Sequence, residues 1–191
     1  MYFVMFMKDE WVIILDFLPN GHPGRGKPEP IAQAVGEKYF SLLEIVPKDG
    51  VTLSLGDRVY IGDGVRDKVK YIKRSISLNE LTTVSRSELE EVVKDIVRED
   101  EGRFIKFFNE SGPISTRMHS LELLPGIGKK HMWEIIKLRK EEPFKSYEDL
   151  KKRVPSIPDP QKMIARRIMM ELKGEDPRHR LFVLHRKREF D

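Results

Sequence analysis

Apolar residues gather in short β-branched and aromatic runs over the first 77 residues and settle into helical spacing over most of the rest. Trp11-Val12-Ile13-Ile14-Leu15-Asp16-Phe17-Leu18 reads as a strand. Pro19 to Pro30, with three glycines and four prolines, reads as a loop. Ala34 to Val46 reads as one long second strand, Leu55 to Gly62 as a third, and Val69 to Ile76 as a fourth. Asp63-Gly64 supplies a hairpin-type turn. Four strands with Gly-rich turns and no intervening helical period predict a small closed or half-closed β-barrel.

The spacing changes after Ser77. Ser85-Arg86-Ser87-Glu88 has the form of a capping box, and Leu89, Val92, Val93, Ile96 and Val97 continue it as a helix to about Glu99. A second helix is expected over Arg103 to Phe108. A short helix is expected over Thr116 to Leu123, and a longer one from Gly128 to about Arg139. Ser146 is placed to cap a further helix. Gln161 to Gly174 forms the last, with Met163, Ile164, Ile168, Met169 and Leu172 as its apolar face and Gly174 as its C-cap. Leu181 to His185 is expected as a terminal strand, followed by a basic tail at Arg186-Lys187-Arg188. The chain therefore divides into a barrel (1–77), a helical connector (78–112), a pair of helical hairpins (113–176) and a terminal strand with its tail (177–191).

Charge sharpens this division. Residues 1–77 carry 11 Lys/Arg and 10 Asp/Glu, residues 78–112 carry 5 and 9, and residues 113–191 carry 19 and 12. The positive excess thus falls on the helical hairpins, where a polyanion would be bound. There is no cysteine, which excludes disulfides, thiolate metal sites and a cysteine nucleophile. The five histidines lack metal-ligand spacing, and Gly-x-Ser-x-Gly is absent. His119 and His131 flank the first hairpin and are expected at the surface. No cofactor, metal site or catalytic residue is assigned. Met1 to Met7 is too short to span a bilayer, and a cytoplasmic location is expected.

Two stretches bear on chemistry. Gly21-His22-Pro23-Gly24-Arg25-Gly26-Lys27 formally matches a nucleotide phosphate loop. Pro28, however, stands where Ser or Thr must follow, so the loop is expected to offer Arg25 and Lys27 to nucleic acid instead. The second stretch is Leu123-Leu124-Pro125-Gly126-Ile127-Gly128-Lys129-Lys130. Its glycines permit a tight reversal with bare amides, and the helix that follows adds unpaired N–H groups and a partial positive charge. Together these make a phosphate site. Exposed aromatics on the barrel strands, Tyr60 and Tyr71 above all, are candidates for stacking bases.

The Pro-Gly-Ile-Gly-Lys-Lys stretch, followed by Ile135-Ile136 and Arg139, resembles the helix-hairpin-helix motif of non-sequence-specific DNA- and RNA-binding proteins. That resemblance assigns phosphate contacts to Gly126, Ile127, Gly128, Lys129 and Lys130. It departs from the motif at Met132, where a small residue is usual. Leu-Gly-Asp-Arg-Val-Tyr-Ile-Gly looks like an element of OB-fold and S1-like barrels. The whole chain resembles an uncharacterised, mainly archaeal family of predicted RNA-binding proteins, in which an OB-like barrel precedes a tandem helix-hairpin-helix domain similar to the second domain of RuvA. The fold class implied is α+β, a small N-terminal barrel followed by an all-α domain. The function implied is non-sequence-specific nucleic-acid binding without catalysis, RNA ahead of DNA. The alternative is a protein–protein interaction module in a ribosomal or DNA-repair assembly.

Overall fold

The computed structural model describes residues 8–24 and 28–184. Arg25, Lys27, His185 and the basic tail lie outside them. The described chain is a mixed α+β protein with a curled five-stranded antiparallel sheet and five α-helices. It divides into two compact units, one reaching Val92 and taking in the chain from Phe182, the other spanning Val93–Leu181.

In the first unit, β1 (Trp11–Leu18), β2 (Ile31–Gly36), β3 (Leu42–Pro47), β4 (Arg58–Tyr60) and β5 (Val69–Ser75) lie in the order β4-β1-β2-β3-β5. No ladder joins β4 to β5 among the described residues, so the curl is a half-barrel with two edges. Period-two alternation puts Val12 and Ile14, Ala32 and Ala34, and Leu43 and Ile45 on one face, with Leu53, Val59, Ile61 and Val69 closing the cluster. Strands β2 and β3 are buried on both faces, and their residues are apolar on both except for Gln33 and Glu44.

The long second strand expected over 34–46 is in fact two. The chain reverses between Gly36 and Leu42, with Phe40 fully buried at φ 55°. The turn holds neither Gly nor Pro after Gly36, so its sequence gives no turn signal. A side chain from elsewhere makes it. The Asp9 carboxylate accepts the Lys38 and Tyr39 amides at 2.8 Å each and the Ser41 amide at 3.3 Å. It occupies the space where a Gly36 Cβ would lie, 2.0 Å away. The third strand shrinks to Arg58–Tyr60, because Ser54 to Asp57 is a turn closed by the Asp57 carboxylate on the Ser54 amide. Tyr71 is exposed as expected, but Tyr60 is half-buried against Trp11, with ring centroids 5.1 Å apart. The terminal segment makes no strand over 181–184; Leu184 donates one backbone bond to Tyr39 at 3.1 Å.

One row of the sheet is polar. Asp16, Gln33, Glu44 and Arg74 are register partners across β1, β2, β3 and β5. Glu44, 1% exposed, accepts from His22 Nε2 at 2.5 Å, from Gln33 at 3.2 Å and from Arg74 Nε at 2.8 Å. Burial would raise its pKa, but these three hydrogen bonds outweigh it and hold the carboxyl below its ordinary value. The chain leaving β5 lies along this row. Arg74 pairs with Glu80, Gln33 bonds both the Glu80 carbonyl and the Thr82 amide, and the Thr82 hydroxyl donates to Asp16 at 2.6 Å. Helix α1 (Thr83–Glu99) starts there. Thr82 caps it by accepting the Ser85 amide at 3.0 Å, and Ser85 is buried in the first turn, not placed as the cap.

In the second unit α1 runs on to Glu99, and α2 (Glu101–Glu110) follows as expected. The helix expected over Thr116 to Leu123 is replaced by a small hairpin, β6 (Pro113–Ser115) and β7 (Met118–His119), and a 3-10 turn at Ser120–Leu123. Then come α3 (Lys129–Glu141), α4 (Tyr147–Arg153) and α5 (Pro160–Lys173). Ser146 caps α4 on the Asp149 amide, and Gly174 ends α5 at φ 73°.

The row of polar groups predicts an acid response. Glu80 accepts the Ser77 amide and the Arg74 guanidinium, which outweigh its burial and push its pKa down to about 2. A carboxylate with a lowered folded-state pKa stabilises fully above its unfolded value, near 4.5, and loses that contribution as pH falls towards 2. Glu80→Gln should therefore lower the urea midpoint of the protein at pH 7, with the difference from wild type shrinking between pH 4.5 and pH 2. A difference constant with pH would show that the charge of Glu80 does not matter.

Candidate nucleic-acid interface

The turn between the 3-10 segment and α3 is built by apolar anchoring on either side of two glycines. Leu121, Leu124 and Ile127 are buried, and Ile127 donates its amide to Leu124 O at 3.1 Å. Ile127 is therefore the plug that holds the turn down, and its side chain does not face solvent. Met132 is buried on the same helix as Ile135, so the larger residue at that position is absorbed by the core.

The two glycines differ in kind. Gly126 has φ 94°, and a Cβ on it would stand 2.6 Å from Pro158 Cγ, in the turn that precedes α5. Conformation and packing both demand glycine there. Gly128 is the N-cap of α3 in extended backbone, φ −99° and ψ −179°, with open space where its side chain would be. No side chain caps this helix. The N–H groups of Gly126, Gly128, Lys129 and Lys130 have no acceptor among the described residues. That leaves a row of donors at the positive end of a 13-residue helix, open on the Gly128 side.

Three outside groups fix the turn. Arg167, 2% exposed on α5, donates to Leu123 O at 3.3 Å and also holds Glu171 (2.8 Å), Asp176 (3.3 Å) and the His179 carbonyl. His131 Nδ1 lies 3.2 Å from Gly126 O, and since a carbonyl only accepts, Nδ1 carries the proton. His119, expected at the surface, is buried. Its Nδ1 accepts the Leu121 amide at 3.1 Å, and burial together with Arg139 pushes its pKa down, keeping it neutral.

The lysines also divide. Lys129 Nζ is held by Glu122 at 2.9 Å and by Arg117 O at 2.9 Å, and its hydrogen bond, with the His119 amide, holds the Glu122 carboxyl low. Lys130 is exposed and has no ion-pair partner among the described residues. Other cations of this basic segment are also engaged. Arg139 donates to the Phe108 and Ser111 carbonyls, and Arg153 to the Leu138 and Glu142 carbonyls. Trp133, to which the sequence reading gave no role, is 63% exposed on α3. The signal for it was present, since Met132, Ile135, Ile136 and Arg139 mark the inward phase of the helix and Trp133 falls outside it.

Of the other assigned residues, Arg25 and Lys27 fall outside the described residues. Beside their loop, a small cleft is lined by His22, Glu29, Glu44, Lys73 and Arg74. Its cations are paired, Lys73 with Glu29 at 2.6 Å and Arg74 with Glu44 at 2.8 Å, so it offers little net charge to an anion. Among the described residues no group of three His, Asp or Glu side chains could hold a metal ion, and no helix is long and apolar enough to cross a membrane.

The family described as Protein of unknown function (DUF655) matches residues 8–184, and the chain belongs to it. It is similar to Uncharacterized protein MJ0038 of Methanocaldococcus jannaschii, 44% identical over 180 residues that cover 94% of this chain and 82% of the relative. It is also similar to the crystal structure of Af1531 from Archaeoglobus fulgidus, with 45% identity and a TM-score of 0.81 over 92% of this chain and all of the other.

The contrast between the glycines sets a stability test. Gly126→Ala should cost about 1–3 kcal/mol, from left-handed strain and the Pro158 clash. Gly128→Ala should cost less than about 1 kcal/mol, the worth of a Gly N-cap over Ala. Urea denaturation of the two variants measures this, and equal losses would contradict the geometry.

Proposed function

We propose that this DUF655 protein binds the backbone of nucleic acid without reading its sequence, RNA ahead of DNA, in the cytoplasm and with no catalysis of its own. The 120–141 segment is read as a phosphate-binding helix-hairpin-helix, the α4–α5 pair as its degenerate partner, and the curled sheet as an OB-like half-barrel. The observation that carries the reading is the set of acceptor-free amides at Gly126, Gly128, Lys129 and Lys130, open at Gly128 and flanked by Lys130, which has no ion-pair partner among the described residues. A phosphate oxygen satisfies these donors and meets the helix dipole and one exposed cation at once. Lys129 acts differently from the motif's expectation. Its ammonium is tied to Glu122, so it braces the turn and Lys130 supplies the charge.

Binding of a labelled 20-nucleotide RNA and its DNA equivalent, measured by anisotropy over a salt series, tests this. Affinity should fall log-linearly with salt. Lys130→Glu should weaken RNA and DNA of any sequence by about tenfold and flatten the salt slope by about one unit. Gly128→Val fits the extended backbone but sets two methyls over the amides, and should weaken binding by at least as much while melting within a few degrees of wild type. Salt-independent binding, or folded variants that bind as wild type does, would refute the proposal.

A further inference from the structure

We propose that Trp133 is a stacking platform for an unpaired base, so that the ligand of this site is single-stranded or looped nucleic acid and not a duplex; the inference rests on the phosphate-binding reading of the 126–130 turn. Trp133 is the most exposed aromatic among the large exposed hydrophobics of the described residues, at 63%. An indole left in water forgoes the burial that usually places tryptophan inside or at an interface. Its surroundings name the occupant. On α3, Lys130 precedes it by three residues and Lys137 follows by four, so both share its face. Both lysines are exposed, with no ion-pair partner among the described residues. A helical side chain leans over the turn before it, which carries the indole towards Lys130 and the open amides.

An apolar protein partner would favour an aliphatic rim around such an aromatic, whereas this one has ammonium groups on either side. That combination suits a base with its phosphates. The flat ring takes the π-face of any base, and the lysines take the flanking charge. A duplex offers only backbone at this surface, because its bases are already stacked on each other. A strand whose phosphate sits on the Gly128 amides can turn a neighbouring base onto the ring, about one helical turn further along α3. Stacking is tolerant of base identity, which agrees with binding that reads no sequence.

The test uses the full chain with a single-stranded RNA, a single-stranded DNA and a blunt duplex of the same sequence. Single strands should bind more tightly than the duplex. Trp133→Ala should weaken single-strand binding by about tenfold or more and leave the duplex unchanged, with Trp133→Phe between the two. Indole fluorescence should be quenched by the single strand, and the quench should vanish in Trp133→Phe, which retains Trp11. If Trp133→Ala binds single strands as wild type does while Lys130→Glu is weakened, the stacking role fails and the phosphate site stands. If wild type binds no nucleic acid, the underlying reading fails. A Trp133-dependent dimer in sedimentation would assign the ring to a second copy of the chain and overturn the inference.

Discussion

A charge taken out of water has to find its partners where it stands, and the sheet of this protein is arranged around that constraint. Asp16, Gln33, Glu44 and Arg74 cross four strands in one row, with Gln33 and Glu44 on the opposite face from Ala32, Ala34, Leu43 and Ile45 of the apolar cluster. An apolar row could match it in stability, since well-packed hydrophobic replacements of buried ion pairs are often neutral or better. What the polar row adds is position. Gln33 has a fixed amide for the Glu80 carbonyl and a fixed oxygen for the Thr82 amide, and Asp16 takes the Thr82 hydroxyl. The chain after β5 satisfies all of these along the path it takes. That path sets Thr82 as the cap, and so sets where α1 begins.

The same physics acts on the candidate site through Arg167. Its guanidinium has five donors, and it reaches Leu123, Glu171, Asp176 and His179 from a position almost wholly removed from water. Leu123 is the last residue before the turn at Leu124 to Gly128. With Pro158 against Gly126 and His131 on the Gly126 carbonyl, the amides are fixed before any ligand arrives. Ordering a loop on binding costs free energy that a preformed site does not lose. The proposed phosphate site is thus a preformed set of donors beside the exposed Lys130.

How much of this could be read from the chain depended on whether a local pattern or a distant partner made the structure. Strand β1, the helices α3 and α5 and the Ser146 and Gly174 caps follow from period and cap chemistry, and they lie where those signals put them. The turn at Glu37 to Ser41 could not be read, because Asp9 makes it from 29 to 32 residues away. Ser85 carries the capping-box pattern, yet the cap is Thr82, held by Gln33 and by Asp16, which lies 66 residues away. The basic segment misleads in the same way. Arg166 and Arg167 are adjacent and chemically identical, yet one is exposed and the other buried. Only helical phase separates them, since Met163, Ile164, Ile168 and Glu171 share the inward face with Arg167. Net charge counts such a residue towards a binding surface although its charge never reaches solvent.

The Pro-Gly-Ile-Gly stretch carries a more general caution. In sequence its glycines are equivalent, and each could be ascribed to a phosphate. In the structure Gly126 is required by φ and by Pro158 whether or not anything binds. Its presence therefore says little about a ligand, since the left-handed backbone and the contact with Pro158 would demand it in a protein that binds nothing. Gly128 is different. Its backbone suits any residue and nothing crowds it, so folding alone does not call for glycine there. Among the positions that folding leaves unexplained are Gly128, Lys130 and Trp133: an uncapped helix start, a cation with no ion-pair partner among the described residues and an indole in water. All three belong to the first turns of α3. The proposed ligand contacts rest on these residues and not on the Pro-Gly-Ile-Gly signature.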